Sequence, residues 1–431
     1  MLKQLLLTAL TVLLCNTALA GVVTNPLYTK ADFWTSRLPK GEEVIMTPAQ
    51  IKLFNQKVNQ VLPAKTFDLA ALPARVDSSV FKKNLTDYSA LNGTVYKGGV
   101  KVEQDYKDRL IDQVNAGQLP EQVEVRYAVV TKHSNLRSLP TEDGLFDNPE
   151  DTCYDDLQNT TLEVGEPVAV FAASKDGDFY FVEMHNYQGW IARENLAFCT
   201  REQWLKYLEP ERFLMVIDPD YNLPLSGRTL YYQMSARIPY QSQTPTGYVV
   251  TVPTRTGQGD LKNISVSVPK AKALHEGYLP YTQNNIIRQA FKYYGHVYGW
   301  GGLRCSVDCS GLSYDLFRTM GLYLPRNAGD QALTAGLGTN VQGFTRQQRL
   351  AALATLEPGS TIHLRRSHMM LYLGQVNGIP YIIHSSGGYY KDGKRIEVQK
   401  VIVSDLELEK KMQDNFYPFL MLSDKYMTFK L

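Results

Sequence analysis

Hydrophobic positions along the 431-residue chain change period more than once, and the changes divide it. Up to about residue 125 the apolar residues form helical patches separated by long polar connections. The clearest patch is "TPAQIKLFNQKV", with Thr47 placed to cap it. From Arg126 to about Leu208 the period drops to two. There "RYAVVTK", "EPVAVFAAS", "DFYFVEMH" and "YQGWIA" read as short strands, with turn signals at Asp176-Gly177 and Gln188-Gly189. Such spacing predicts a small β-barrel. A second β-rich stretch, with "GYVVTVPT" and "NISVSVP", runs to about Tyr278. The period then becomes 3.6. In "TQNNIIRQAFKYYGH" the residues Ile286, Ile287, Ala290, Phe291 and Tyr294 share one face, with Thr282 as cap and Gly295 as stop. After a glycine-rich loop, Leu312, Leu316, Phe317 and Met320 keep helical spacing up to Gly321. "STIHL", "HMMLYLG" and "PYIIHSS" then read as consecutive strands, the last two joined around Asn377-Gly378. The fold class expected is multidomain: a helical and irregular N-terminal domain over 21–125, small β-barrels over 126–208 and 209–278, and a C-terminal α+β domain over 279–431 with helices packed on an antiparallel sheet.

Residues 1–20, "MLKQLLLTALTVLLCNTALA", carry a lone Lys3, an apolar run from Leu5 to Leu14 and the closing Ala18-Leu19-Ala20. That is the pattern of a secretory signal peptide, so the exported chain is expected to begin near Gly21, periplasmic or associated with the cell wall. The apolar run is about half of what spans a bilayer, and no later stretch reaches that length. Cys15 could mark lipidation, but Leu14 stands where a small residue is wanted. With 45 Lys and Arg against 43 Asp and Glu, the formal charge of +2 gives no strong field toward nucleic acid or an anionic membrane. A partner must therefore be read from a site.

Removal of the leader leaves Cys153, Cys199, Cys305 and Cys309. In an exported protein an even count reads first as paired bridges, whereas a four-cysteine zinc site wants close CxxC pairs that this spacing does not provide. Cys309 stands at a helix N-terminus, where the macrodipole favours thiolate over thiol. It is assigned as a nucleophile. Cys305, in the preceding loop, has no such advantage and is expected to be a buried or half-buried free thiol. A Cys153 to Cys199 bridge stays open.

A cysteine nucleophile needs a base, usually a histidine held by a third polar group. Of the seven histidines, His133, His185 and His275 lie outside the last domain, and His296 and His363 have structural explanations at a helix end and on an apolar strand. His368 opens "HMMLYLG" and His384 closes "PYIIH", so a hairpin brings them to one end of the sheet. A plain two-residue turn at Asn377-Gly378 pairs residues whose numbers sum to an odd value, which sets the two histidines on opposite faces. Their use as base and orienter therefore requires a bulge or an odd loop.

These motifs resemble the NlpC-type papain-like cysteine peptidases of bacterial cell walls. The resemblance rests on "YGWGG" before "DCSGL", "LPRNAGDQ", "LEPGSTIHL", "SHMMLYLG" and "YIIHSSGG". Residues 126–208 resemble a bacterial SH3 domain, 209–278 a second SH3-like domain, and 21–125 the N-terminal stabilising domain found with this architecture. The resemblance implies Cys309 as nucleophile, His368 as general base and His384 as orienter, with Tyr298 beside the thiolate. It also implies that Asp308 and Ser310 shape the pocket for a D-glutamyl residue, with Trp300, Arg326 and Asn327 in the substrate groove. No metal or organic cofactor is implied. The implied reaction is hydrolysis of the bond between γ-D-glutamate and meso-diaminopimelate in peptidoglycan stem peptides, by a monomer. Arg365 and Arg366, just before the base, could meet a ligand carboxylate or be solvated charge.

Relatives that recycle free peptides are expected to hold the substrate amine with an acidic residue after the "PR" pair, and here Asn327 occupies that place. This favours stem peptides still attached to glycan, unless Asp155 or Asp156 supplies the carboxylate. An inactive wall-binding scaffold and acyl transfer to an amine are the competing readings.

Overall fold

The computed structural model describes residues 21–365 and 368–431. The leader with Cys15, and Arg366, lie outside the described residues. Among those described, no helix is long and apolar enough to cross a membrane.

The N-terminal stretch has no single core of its own. Helix Pro48–Val61 starts from a reciprocal capping box between Thr47 and Gln50 and buries Ile51, Phe54 and Val58. These side chains share one hydrophobic cluster with Ile286, Leu316 and Phe317 of the C-terminal region. Further along, Val76, Phe81 and Leu85 pack instead with Phe171, Phe181 and Trp190 of the first barrel.

Residues 126–199 form a seven-stranded antiparallel sheet in the order Leu196–Cys199, Arg126–Val130, Pro167–Ala173, Phe179–Met184, Tyr187–Ala192, Ser134–Arg137, Gln158–Leu162. Alternation sends Ala128, Val130, Val168, Val170, Val182 and Ile191 into its core. The expected turn at Gln188-Gly189 is not one, because both residues lie inside strand Tyr187–Ala192. The chain reverses before it, as Met184 pairs with Tyr187. Gly189 is small for a different reason: a Cβ there would stand 2.7 Å from the Arg137 carbonyl oxygen. Residues 213–276 build a five-stranded sheet and a separate hairpin, Asp220–Leu225 with Arg228–Gln233.

The C-terminal region packs helices Gln283–Lys292 and Cys309–Arg318 against an eight-stranded sheet, and helix Arg346–Thr355 joins a second cluster on it through Leu353. Helix Gln283–Lys292 is capped by the Thr282 hydroxyl, which accepts from the Asn285 N–H at 3.1 Å. Its apolar face continues from Ala290 to fully buried Tyr293, while Tyr294 is exposed, contrary to the expected face. The helix has ended at Lys292, and the i+3 step from Ala290 selects Tyr293, whose hydroxyl donates to Asp315 at 2.8 Å.

Candidate active site

Helix Cys309–Arg318 begins where Asp308 accepts from the Gly311 N–H at 2.7 Å. The same carboxylate accepts from the Gly301 N–H at 2.9 Å and from two nitrogens of Arg326, at 2.6 and 3.1 Å. Arg326 also donates to Ser310 Oγ and Thr160 Oγ1. All three residues are buried. The polar groups of Asp308, Ser310 and Arg326 thus bond one another and fasten the start of the helix to the glycine loop and the first barrel. Asn327 is exposed and stays accessible, with its amide 3.4 Å from Asp330.

The glycine loop is shaped by docking. Gly301 and Gly302 have φ of +54° and +85°, which only glycine adopts without strain. A Cβ at Gly301 would stand 2.7 Å from Gln158 Cγ, and one at Gly302 would run into the Thr161 side chain. Both partners lie on barrel strand Gln158–Leu162. Trp300 adds its indole N–H to the Asp155 carbonyl at 3.0 Å and sets its ring edge against Tyr154. Trp300 is a pin between the domains. Tyr154 also touches the Tyr298 ring, with centroids 5.8 Å apart. Nothing in the sequence pattern had singled out Tyr154, because its role comes from domain docking.

Strand His368–Val376 runs beside helix Cys309–Arg318 and turns through Asn377-Gly378 into strand Ile379–Lys391. Val376 pairs with Ile379 and Gly374 with Tyr381, but Tyr372 pairs with Ile382. The bulge at Leu373 slips the register by one and puts His368 and His384 on the same face, the shift their cooperation required. Their rings meet with His368 Nε2 2.8 Å from His384 Nδ1. Phe419 packs edge-on against both rings.

Burial pushes the Cys309 thiol up to about 11, and the Asp308 charge adds to this. Hydrogen bonds from the Met369 and Ser310 amides and the positive charge of Arg326 pull the other way without prevailing. The helix N-terminus therefore does not lower this thiol in the resting site, as the sequence led one to expect, because loss of water around the sulfur outweighs it. The Met369 amide belongs to the residue after His368, so the sulfur sits at the start of strand His368–Val376. Burial, then His384 and Lys410, holds His368 well below the ordinary histidine range, and burial holds His384 at about 3. At neutral pH the site is a thiol beside two neutral imidazoles. Burial, together with nearby Cys309 and Asp308, drives the Tyr298 phenol far upward, so it remains a neutral O–H.

Cys305 is exposed rather than buried, on a backbone with φ of +51°, because the loop turns it away from the helix. Cys153, Cys199 and Cys305 are free thiols, so no bridge joins Cys153 to Cys199. Asp155 accepts from Arg137 at 2.6 Å and from the amides of Leu145 and Leu157. Asp156 stays at the surface. Partial burial and the carboxylates of Asp147, Asp155 and Asp151 push it up to about 6. A cavity of 820 Å³ opens elsewhere, between helix Pro48–Val61 and residues such as Phe213, Arg237 and Tyr323, and none of Cys309, His368 and His384 lines it.

A cysteine, a histidine and a second histidine on a helix and two strands, with a β-barrel against the glycine loop, define the class of domain present. Residues 295–406 match the model of the NlpC/P60 family. Residues 144–192 match that of the SH3 domain (SH3b1 type). The protein is thus multidomain, with an SH3-like region and a C-terminal NlpC/P60 family domain.

Over 118 residues the chain is 35% identical to the γ-D-glutamyl-L-lysine dipeptidyl-peptidase of Bacillus subtilis (strain 168), covering 27% of this chain and 35% of that one. Over 246 residues it is 23% identical to the protein of the same name from Bacillus cereus (strain ATCC 10987 / NRS 248), covering 52% and 66%. It therefore spans about a third of one curated relative and just under two thirds of the other. A solved structure described as a novel NlpC/P60 endopeptidase from Photobacterium damselae subsp. piscicida superposes with a TM-score of 0.73 over 90% of this chain and 94% of that one. At 17% identity this likeness concerns the fold.

Proposed function

We propose that the protein is an exported cell-wall cysteine endopeptidase that hydrolyses the γ-D-glutamyl-meso-diaminopimelate bond of peptidoglycan stem peptides. The observation that carries this reading is the pairing of His368 with His384 at 2.8 Å, on a strand whose Met369 amide reaches the Cys309 sulfur. In the proposed reaction the thiol proton passes to His368 as the sulfur attacks the γ-carbonyl carbon. The developing oxyanion is held by the Cys309 N–H, with the neutral Tyr298 phenol beside it. His368 then gives the proton to the departing amine, and water, activated by the same imidazole, releases the acyl group and restores the thiol. Residues 126–208 and 209–278 serve as two SH3-like domains. Residues 21–125 serve as the stabilising segment, a reading supported by their sharing cores with both the barrel and the NlpC/P60 domain.

Attached stem peptides are the preferred substrate on this reading, since Asn327 brings no charge to an amine. A second reading, cleavage of free peptides, is favoured by the dipeptidyl-peptidase names of the relatives and by Asp330 beside Asn327. The deciding experiment gives purified protein either intact sacculi or free L-Ala-γ-D-Glu-diaminopimelate and reads products by mass, with H₂¹⁸O to separate hydrolysis from acyl transfer. Cleavage of the tripeptide alone would replace the first reading with the second. No product from either substrate would leave a wall-binding scaffold.

A further inference from the structure

On its far side from His368, His384 places Nε2 3.2 Å from Ser404 Oγ, and that hydroxyl lies 3.0 Å from the Asp405 carbonyl oxygen. A carbonyl can only accept, so the single hydroxyl proton of Ser404 points to Asp405. The Ser404 oxygen is then left to accept from Nε2–H of His384. A neutral imidazole has one N–H, so His384 Nδ1 is a bare lone pair and accepts from Nε2–H of His368. The remaining nitrogen of His368, Nδ1, is unprotonated. It is the only atom of that ring able to take a thiol proton.

The polarity of this chain starts from the backbone. His384, Ser404 and their surroundings admit no solvent, both residues being 0% exposed, and Phe419 closes the sides of the two rings. Strand pairing sets the alignment: His384 faces Ile402 and Ile382 faces Ser404, which puts the imidazole and the hydroxyl diagonally on one face. Asp405 is itself fixed, its carboxylate accepting from the Gly21 and Glu407 amides.

We propose that Ser404 is a positioning residue of the cysteine peptidase reaction: its hydroxyl locks His384 as the Nε2–H tautomer and so keeps His368 Nδ1 free to accept the Cys309 proton. The inference rests on the peptidase reading above. Without the hydroxyl, Nε2–H of His384 is a buried donor with no acceptor. Moving that proton to Nδ1 relieves it, but His384 then donates to His368 Nε2, and His368 carries its own proton on Nδ1, where the base is needed.

The test combines histidine-labelled long-range ¹H–¹⁵N spectra of the full chain with steady-state kinetics on a diaminopimelate muropeptide. Wild-type spectra are expected to show Nε2–H tautomers at both His368 and His384. Ser404→Ala is expected to lower kcat about tenfold with KM within a factor of about two, and to move His384 away from that tautomer. Ser404→Thr, which keeps the hydroxyl, is expected to recover both. An Nδ1–H His384 in the wild type overturns the proposal, as does a folded Ser404→Ala with unchanged kcat. The wild-type spectrum decides the matter if the variants do not fold. Absence of wild-type turnover would refute the peptidase reading, while the spectrum still reports the tautomers.

Discussion

His368 Nε2 and His384 Nδ1 lie 2.8 Å apart although the hairpin joining them closes in a plain two-residue turn at Asn377-Gly378. The bulge at Leu373 makes this possible, and in the proposed reaction the dependence runs from thiol to base to orienter. His368→Ala is expected to abolish muropeptide cleavage. His384→Ala is expected to retain a measurable residue of it, about a hundredfold below wild type, because water can enter and partly replace an orienting acceptor. Single-turnover rates of the two variants check this, and equal losses would place proton transfer itself on His384.

The two cysteines of the glycine loop are separated by their surroundings. Cys309→Ala is expected to remove cleavage with thermal unfolding within a few degrees of wild type. Cys305→Ala, at an exposed thiol, is expected to keep most activity. Product analysis by mass alongside melting curves checks both, and loss of turnover in folded Cys305→Ala would reverse the assignment.

Because burial raises the Cys309 thiol to about 11 and lowers His368, the resting pair is neutral. Only the thiolate is alkylated, so the iodoacetamide rate at Cys309 is expected to climb about tenfold per pH unit from pH 7 to 10. A preformed thiolate–imidazolium pair would instead give a rate already level near neutrality. Peptide mapping after timed alkylation distinguishes the two profiles.

Gly302 joins backbone strain to close approach at the barrel strand. Gly302→Ala is expected to cost about 2 kcal/mol in urea denaturation, combining a positive φ with a clash at Thr161. In a Thr161→Ala background the clash largely disappears and part of the cost should return, a coupling read from the double-mutant cycle. Strict additivity would show that the barrel does not press on this loop.

Much of the site was legible along the chain, because local signals carry it. The apolar spacing after Cys309 gives the helix, and the strands bearing His368 and His384 announce themselves by β-rich runs and an Asn-Gly turn, whereas the Asp308 cap emerged only from the structure. The parity of that turn even showed that a bulge was needed. The place of the bulge came from the structure, although Gly374 beside Leu373, with φ of +111°, is an isolated glycine in a strand pattern and so a signal that was available. Only the tertiary structure shows that Asp308, Ser310 and Arg326 form a buried ion-pair cluster, as burying a guanidinium demands a carboxylate. It raised the thiol that the helix end alone would lower, because desolvation depends on everything around the sulfur and not on its place in a helix. Ser404 stood in "VIVSD" as a polar residue among valines and isoleucine; its meaning arises from a strand pairing across twenty residues, which periodicity does not encode.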